Sequence, residues 1–118
     1  MSYNINLCDS VSGEVLVLAA PHHMRGGTYQ IGGCPEAHLN VTYNYYPHYR
    51  KVLGPKGVRG IYGLTGAESI PVLQAGIEQL GDDVGDNYWT ATEGNARRAL
   101  AQLLALARMR PDGVWAGD

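Results

Sequence analysis

The chain is long enough for one domain and nearly neutral, and these properties exclude several classes of protein. Its 118 residues are 45% hydrophobic and 17% charged, so about two-thirds of the unfolded surface can be buried without a metal or disulfide staple. A net charge of −2 argues against a protein that coats nucleic acid or anionic membranes. We expect a single domain over residues 1–118.

The sequence shows no membrane-spanning or secretory segment. No apolar run approaches the ~20 residues of a membrane-spanning helix, and the first residues, Met1-Ser2-Tyr3-Asn4, lack the basic and apolar regions of a signal peptide. These features predict a cytoplasmic protein. In that compartment Cys8 and Cys34 are expected to be free thiols rather than a disulfide.

Alternating apolar and polar residues predict strands in the N-terminal part of the chain. Residues 3–8 and 14–20 flank a turn and have the pattern of a hairpin. A short strand is predicted at 28–31, and the clearest one at 37–45. In that strand Tyr43 and Tyr45 share a face with Leu39 and Val41, while Asn44 lies on the opposite face.

Helical patterns dominate the second half of the chain. A short helical turn is predicted at 48–53, then a short strand or extended segment at 58–62. One helix is predicted over 69–80, with its cap near Ser69, because Pro71 is tolerated only close to a helix start. A second helix follows a capping-box pattern at 90–93, and Trp115 beyond it is expected to fold back as a plug. Strands followed by helices predict an α+β fold: an antiparallel sheet of about four strands with two C-terminal helices on one face.

The aromatic residues suggest a binding surface. Four tyrosines lie within residues 43–49, in a chain with eight Tyr, two Trp and no Phe. Every aromatic side chain therefore carries a polar group that needs a partner or water. Beside them, His38, Asn40, Thr42 and Asn44 form an uncharged polar ladder that suits a nucleobase or ribose, or the packing of another layer.

Two features favour an anionic ligand. The segment from Thr65 to Ser69 leads into a helix, whose free N–H groups attract phosphate, although helix capping alone explains the same residues. Basic side chains from Arg50 to Arg59 fit phosphate contact or a solvated surface. The predicted ligand-binding residues are Tyr43, Asn44, Tyr45, Tyr46, His48, Tyr49, Arg59, Tyr62, Thr65 and Ser69.

Motifs for metal binding and catalysis are sparse. His22, His23, Cys34 and His38 are potential ligands, but no paired metal-binding motif accompanies them. We therefore expect no metal and no cofactor. The chain lacks a Gly-x-Ser-x-Gly elbow, which makes an enzyme the weaker alternative. That alternative is a phosphate-ester hydrolase using His48 or His22.

Three segments carry a resemblance to a known group of proteins. Residues 41–45, 57–71 and 87–96 (VTYNY, GVRGIYGLTGAESIP and NYWTATEGNA) resemble a family of small phage and prophage proteins, from about Ile5 to the C-terminus. The resemblance implies a phage product in the bacterial cytoplasm, and such proteins often counter host defence. It carries over no catalytic residues.

These observations lead to a leading hypothesis and two further expectations about partners. The leading hypothesis is a non-enzymatic protein that sequesters a small anionic, nucleotide-like ligand between the tyrosines and the helix start. The alternative is an anti-CRISPR-like inhibitor that uses the same tyrosines as anchors on a host defence protein. The Ala- and Leu-rich second helix could also pack across a two-fold axis in a homodimer.

Overall fold

The computed structural model describes residues 1–24 and 33–118, so the strand predicted at 28–31 lies outside the described residues. Within the described ranges the chain is α+β, as predicted. The elements are β1 (Ser2–Cys8), β2 (Val17–His22), β3 (Cys34–Glu36), β4 (His38–Thr42), α1 (Tyr46–Leu53), α2 (Gly66–Glu78), α3 (Glu93–Met109) and β5 (Val114–Gly117). None of the helices in these ranges is long and apolar enough to cross a membrane.

The main sheet has three antiparallel strands in the order β4-β1-β5. Strand β1 is central, and its Ile5 lies opposite both Leu39 of β4 and Gly117 of β5. The prediction of a four-stranded sheet is wrong because the 14–20 segment leaves β1 after a single bridge between Cys8 and Val15. That segment continues as β2 and pairs with β3 in a separate two-stranded sheet.

The tyrosine-rich segment is helical rather than extended. Strand β4 ends at Thr42, and Tyr43–Tyr45 form a 3-10 turn. The hydroxyl of Thr42 accepts a hydrogen bond from the Asn44 N–H at 3.3 Å, which offers the backbone a local alternative to the strand ladder. Helix α1 follows directly, with Pro47 in its first turn. The prediction that Tyr43 and Tyr45 lie on one face of a strand and Asn44 on the other is therefore wrong, because these residues are not in a strand.

The helix starts differ from the predictions by a few residues. Helix α2 begins at Gly66, because Thr65 and Glu68 form a capping box with bonds of 3.0 and 2.9 Å. Pro71 consequently lies inside the helix, where it cannot supply a backbone donor. Helix α3 is capped by Thr92, whose hydroxyl accepts from the Asn95 N–H at 3.1 Å. A third α-helix, α1, joins the two predicted ones.

The remaining C-terminal elements complete the core. Residues Gly57–Ile61 form a 3-10 helix rather than a strand. The expected plug is present, since Trp115 is buried in β5 and its indole N–H donates to the Ser69 hydroxyl at 2.7 Å. One apolar cluster joins the sheet to the helices; its members include Tyr3, Ile5, Leu7, Leu39, Val41, Leu73, Leu100, Leu103 and Leu106.

Candidate binding site

Two of the predicted ligand-binding tyrosines lie in the core. Tyr45 and Tyr49 are 1% and 0% exposed, and their rings meet edge to face at 5.9 Å. The Tyr49 hydroxyl donates to the backbone oxygen of Ala96 at 3.0 Å. Burial raises the pKa of both hydroxyls. Neither side chain is available to a ligand on the surface of this structure.

Tyr43 and Arg59 form a structural cluster at the C-terminal end of the chain. The guanidinium of Arg59 lies 5.0 and 5.6 Å from the ring centres of Tyr3 and Tyr43, within reach of a cation–π attraction. Its Nε donates to the backbone oxygen of Asp118 at 2.8 Å. Arg59 is therefore engaged by its own chain, and it fixes β1 and the last residue rather than offering a free cation.

The hydroxyls of Tyr46 and Tyr62 differ in their surroundings, since Tyr46 is exposed at 36% and the Tyr62 hydroxyl is buried. The Tyr46 hydroxyl donates to the Pro55 oxygen at 3.2 Å. The Tyr62 hydroxyl is buried and has no hydrogen-bond partner among the described residues. Burial, followed by the nearby Asp118 carboxylate, raises the pKa of Tyr62 to about 12. Its role in the structure is packing, without a compensating hydrogen bond.

The start of α2 does not form the predicted anion site. Its first four N–H groups, from Gly66 to Ser69, donate to the Gly113 and Pro111 oxygens and to the hydroxyl and backbone oxygen of Thr65. No donor remains for a phosphate, and the Glu68 carboxylate already lies at this positive end of the helix. The Ser69 hydroxyl is buried and donates to the Gly66 oxygen at 2.8 Å.

The polar ladder of β4 is paired with a second ladder on β1. The Asn40 amide donates to the Ser2 hydroxyl at 2.7 Å and to the Asn4 side-chain oxygen at 2.9 Å. His38 Nδ1 lies 2.6 Å from the Asn6 amide oxygen and donates to it, since that oxygen can only accept. Burial lowers the pKa of His38. These groups largely satisfy one another across the strands.

Asn44 and His48, both predicted as ligand contacts, instead hold a long connection that we call the Trp89 loop, residues 81–92. The Asn44 amide donates to the Trp89 backbone oxygen at 2.7 Å. His48 Nε2 donates to the Ala91 oxygen at 2.9 Å. Two side chains of the tyrosine-rich segment therefore fix the C-terminal half of this loop.

The buried side chain of Asn95 holds the same loop from the other side. Its amide nitrogen donates to the Asn87 and Thr90 oxygens, both at 2.9 Å. Its amide oxygen accepts from the Gly85 N–H at 3.3 Å and from Arg98 at 3.4 Å. One residue of α3, only 1% exposed, thus contacts three backbone groups of the loop and fixes its shape.

The Trp89 loop presents aromatic surface to solvent. Trp89 is 50% exposed, and its ring meets Tyr88 edge to face with centres 4.9 Å apart. The pair borders a groove of about 540 Å³, whose lining includes Asp86, Asn87, Arg98 and Gln102. We call this the Arg98 groove. Its volume lies in the range of small-molecule sites.

A smaller groove of about 320 Å³ also borders Tyr88 and Trp89. Its lining includes Ser2, Asn40, Thr42 and Asn44, which are uncharged polar side chains. Trp89 therefore borders both a groove that contains Asp86 and Arg98 and a groove lined in part by amides and hydroxyls. The indole ring can present its exposed surface to a ligand in either.

The charged groups of the Arg98 groove have no ionic partners. Arg110 and Asp112 form the one ion pair found between residues of the described ranges, so Asp86 and Arg98 do not pair with each other. The side-chain oxygen of Gln102 is buried and accepts no hydrogen bond from any described residue. A ligand that supplies an anion and a hydrogen-bond donor can pair with the Arg98 guanidinium, which donates to the Asn95 amide oxygen at 3.4 Å, and with the Asp86 carboxylate.

The candidate metal ligands His22, His23, Cys34 and His38 line one cavity of about 200 Å³, but they are not placed to hold an ion together. Among residues 1–24 and 33–118 no group of three His, Cys, Asp or Glu side chains is placed to hold an ion. Both ring nitrogens of His22 are occupied, since Nε2 donates to the Glu36 and His38 oxygens and Nδ1 accepts from the Met24 N–H. The thiol of Cys34 is buried and donates to the Glu36 oxygen at 3.5 Å.

The predicted site residues thus divide into core, capping and loop-anchoring groups, and the structure does not gather them around one cavity. Sequence reasoning missed Asp86, Trp89, Arg98 and Gln102. A tryptophan in a Gly- and Asp-rich connection was the one local signal available. Comparison with family models, with curated proteins and with solved structures finds no match to the chain in any of the three.

Proposed function

We propose that this chain is a non-enzymatic binding protein that sequesters a small nucleotide-like ligand in the Arg98 groove. The observation that carries the proposal is the half-exposed Trp89 beside Arg98, which has no ionic partner among the described residues. Hydrogen bonds from Asn44 and Asn95 hold the loop that carries Trp89. Rigid aromatic surface next to a few polar groups is typical of ligand sites. From the sequence pattern alone, which resembles small phage proteins, we also propose a role in countering a host defence signal in the bacterial cytoplasm.

Each part of such a ligand has a counterpart in the groove. A base that stacks on Trp89 contributes about 1–3 kcal/mol. The Arg98 guanidinium offers planar donors that match phosphate oxygens, and the Asn87 and Gln102 amides can read polar edges of the base. Compared with the sequence-based hypothesis, stacking moves from the tyrosines to Trp89 and phosphate contact moves from Arg59 to Arg98.

Binding without catalysis fits the state of His48 and His22, the histidines of the hydrolase alternative; His23 is the histidine that lines the Arg98 groove. His48 donates to a loop carbonyl and His22 is bonded at both nitrogens. A general base needs a free ring nitrogen beside the reacting group, and His22 lacks one. His48 contacts the Trp89 loop but does not line the Arg98 groove. We therefore favour recovery of the ligand unchanged over its hydrolysis.

Isothermal calorimetry with a panel of linear and cyclic nucleotides, at concentrations up to a millimolar, tests the proposal. We expect Arg98→Gln to weaken binding of the best ligand at least tenfold, because a charge-assisted phosphate contact is lost. Arg97→Gln is the matched control. It removes the same charge from the neighbouring residue, and the Nε of Arg97 donates to the Ile77 oxygen outside the groove.

Fluorescence gives an independent reading of the same site. Trp115 is buried and Trp89 is exposed, so a ligand stacked on Trp89 should quench the emission of the wild type. In Trp89→Phe, where Trp115 is the remaining indole, that quenching should vanish. The proposal fails if no nucleotide binds, or if Arg97→Gln and Arg98→Gln weaken binding equally.

A second candidate function, an inhibitor of a host defence protein, is favoured by another side chain of the loop. Val84 is 57% exposed and borders a different groove, with Ile77, Asp82 and Arg97. Exposed apolar side chains flanked by charges are suitable anchors for a protein partner. Val84→Ser should abolish capture of a stoichiometric partner from bacterial lysate while leaving nucleotide binding unchanged; unaltered capture would refute this candidate.

A homodimer remains part of the proposal, and the structure offers a new surface for it. Strand β2 carries no charged side chain from Val17 to Pro21, and four of these five residues are exposed. Exposed, uncharged strands invite pairing with a second strand. Sedimentation equilibrium should show self-association that Ala19→Lys abolishes, and a monomer at all concentrations would refute it.

A further inference from the structure

We propose that the ligand of the Arg98 groove is a ribonucleotide carrying one or two negative charges, and that Asp86 selects it. In this arrangement Arg98 binds a phosphate and the Asp86 carboxylate accepts a hydrogen bond from the ribose 2′-hydroxyl. The inference rests on the proposed function and names the class of nucleotide that this site accepts. Triphosphates and deoxyribonucleotides are the classes that it rejects.

The charge balance of the groove limits the charge of the ligand. Its lining has one fixed cation, Arg98, and one carboxylate, Asp86, with His23 and Tyr88 as the remaining titratable groups. The neighbouring Asp82 and Asp83 add further negative charge to the Trp89 loop. A single guanidinium neutralises about one phosphate, and every further ligand charge meets an uncompensated carboxylate. In a solvated groove that repulsion amounts to about threefold in affinity per added charge.

The carboxylate itself needs a donor from the ligand. Asp86 is exposed and has no ionic partner among the described residues. An ionised carboxylate only accepts hydrogen bonds, so a ligand that covers it must replace its water with O–H or N–H groups. A ribose 2′-hydroxyl provides such a donor, as acidic residues do in other dinucleotide sites. A deoxyribose would cover the carboxylate without satisfying it.

Two affinity ratios test the inference by calorimetry, in buffer without divalent cations. The ligands share the base that binds best: the ribonucleoside 5′-monophosphate, its 2′-deoxy form and the 5′-triphosphate. In the wild type we expect the monophosphate to bind about tenfold tighter than its 2′-deoxy form, as one charge-assisted hydrogen bond predicts. It should also bind severalfold tighter than the triphosphate.

In Asp86→Ala both ratios should fall towards one, because the acceptor and the repelling charge are removed together. Each ratio compares two ligands on one protein, so an overall loss of affinity cancels. Asp82→Ala is the matched control: it removes a carboxylate from the same loop, outside the Arg98 groove, and should leave the 2′-hydroxyl ratio unchanged.

The possible failures are distinguishable. If no nucleotide binds at a millimolar, the proposed function itself fails. If nucleotides bind but the wild type prefers the triphosphate, or if Asp86→Ala preserves both ratios, the proposed function stands and the role of Asp86 is overturned.

Discussion

The shape of the Trp89 loop depends most on the side chain of Asn95, so truncating that side chain should open the loop. Asn95→Ala deletes two hydrogen bonds of 2.9 Å to the Asn87 and Thr90 oxygens and one of 3.3 Å from the Gly85 N–H. Each good bond contributes about 1 kcal/mol net. We expect the free energy of unfolding to fall by about 2–3 kcal/mol, since the site is buried and the alanine leaves space behind.

Thermal unfolding and hydrogen exchange measure this effect at two levels. For a domain of this size the loss corresponds to roughly 6–15 °C in Tm. In Asn95→Ala the Gly85 amide should exchange faster than in the wild type, and much faster than amides in the middle of α3, because the loop opens before the domain unfolds. Ligand binding should weaken as well, since Trp89 is then positioned only in the fraction of molecules whose loop is closed.

Asn44→Ala serves as the graded control for Asn95→Ala. It removes a single bond, from the Asn44 amide to the Trp89 oxygen at 2.7 Å, at an exposed position where water can replace the donor. A loss of no more than about 1 kcal/mol is expected. The reasoning is refuted if Asn95→Ala costs no more than Asn44→Ala, or if exchange of the Gly85 amide is unchanged.

Three further predictions concern packing and pH. Tyr62→Phe should be neutral or slightly stabilising in thermal unfolding, because its buried hydroxyl lacks a partner among the described residues. Tyr49→Phe should instead cost about 1 kcal/mol, because it loses the hydrogen bond to the Ala96 oxygen; equal costs would contradict this. The raised Tyr62 pKa of about 12 leaves stability intact below pH 10 and predicts a loss from pH 10 to 12 as the unfolded state ionises first. Tyr62→Phe should reduce that alkaline loss, and an identical pH profile would contradict the assignment. Gly94→Ala should lower Tm and weaken binding, because a Cβ would lie 2.6 Å from the loop backbone; Gly60→Ala, whose nearest neighbour is at 3.7 Å, should not.

Local sequence patterns correctly predicted those elements whose conformation depends on interactions between residues close in sequence. Alternation at Tyr3, Ile5 and Leu7 identified β1 and its buried face, and all three are now in the core. The periodic alanines and leucines identified α3 as a helix buried along one side. The partners of β1 were not predictable in this way, because β5 lies more than a hundred residues away in sequence.

The errors have specific physical causes. At Thr42 a side-chain hydrogen bond to the next turn ended a strand whose alternation continued through Tyr45. For α2, the preference of proline for the first turn of a helix predicted a start near Ser69. The helix instead begins at Gly66 and holds Pro71 in its interior. Its first turn packs tightly against the chain at Pro111 and Gly113, and Gly66 has no room for a Cβ there. Tertiary packing therefore offsets a local cost of about 3 kcal/mol.

Two of the clustered tyrosines use their hydroxyls to hold the fold together, which shifts attention from the tyrosines to tryptophan. The hydroxyls of Tyr46 and Tyr49 bond backbone oxygens of other segments, so these aromatic rings tie the chain to itself. Asn44 and His48, within the same segment, hold the Trp89 loop. A cluster that looks like a binding site in sequence therefore acts as the support of one. The Trp89 loop that it supports carries a half-exposed indole. A local pattern cannot reveal this, because the supporting bonds span more than forty residues.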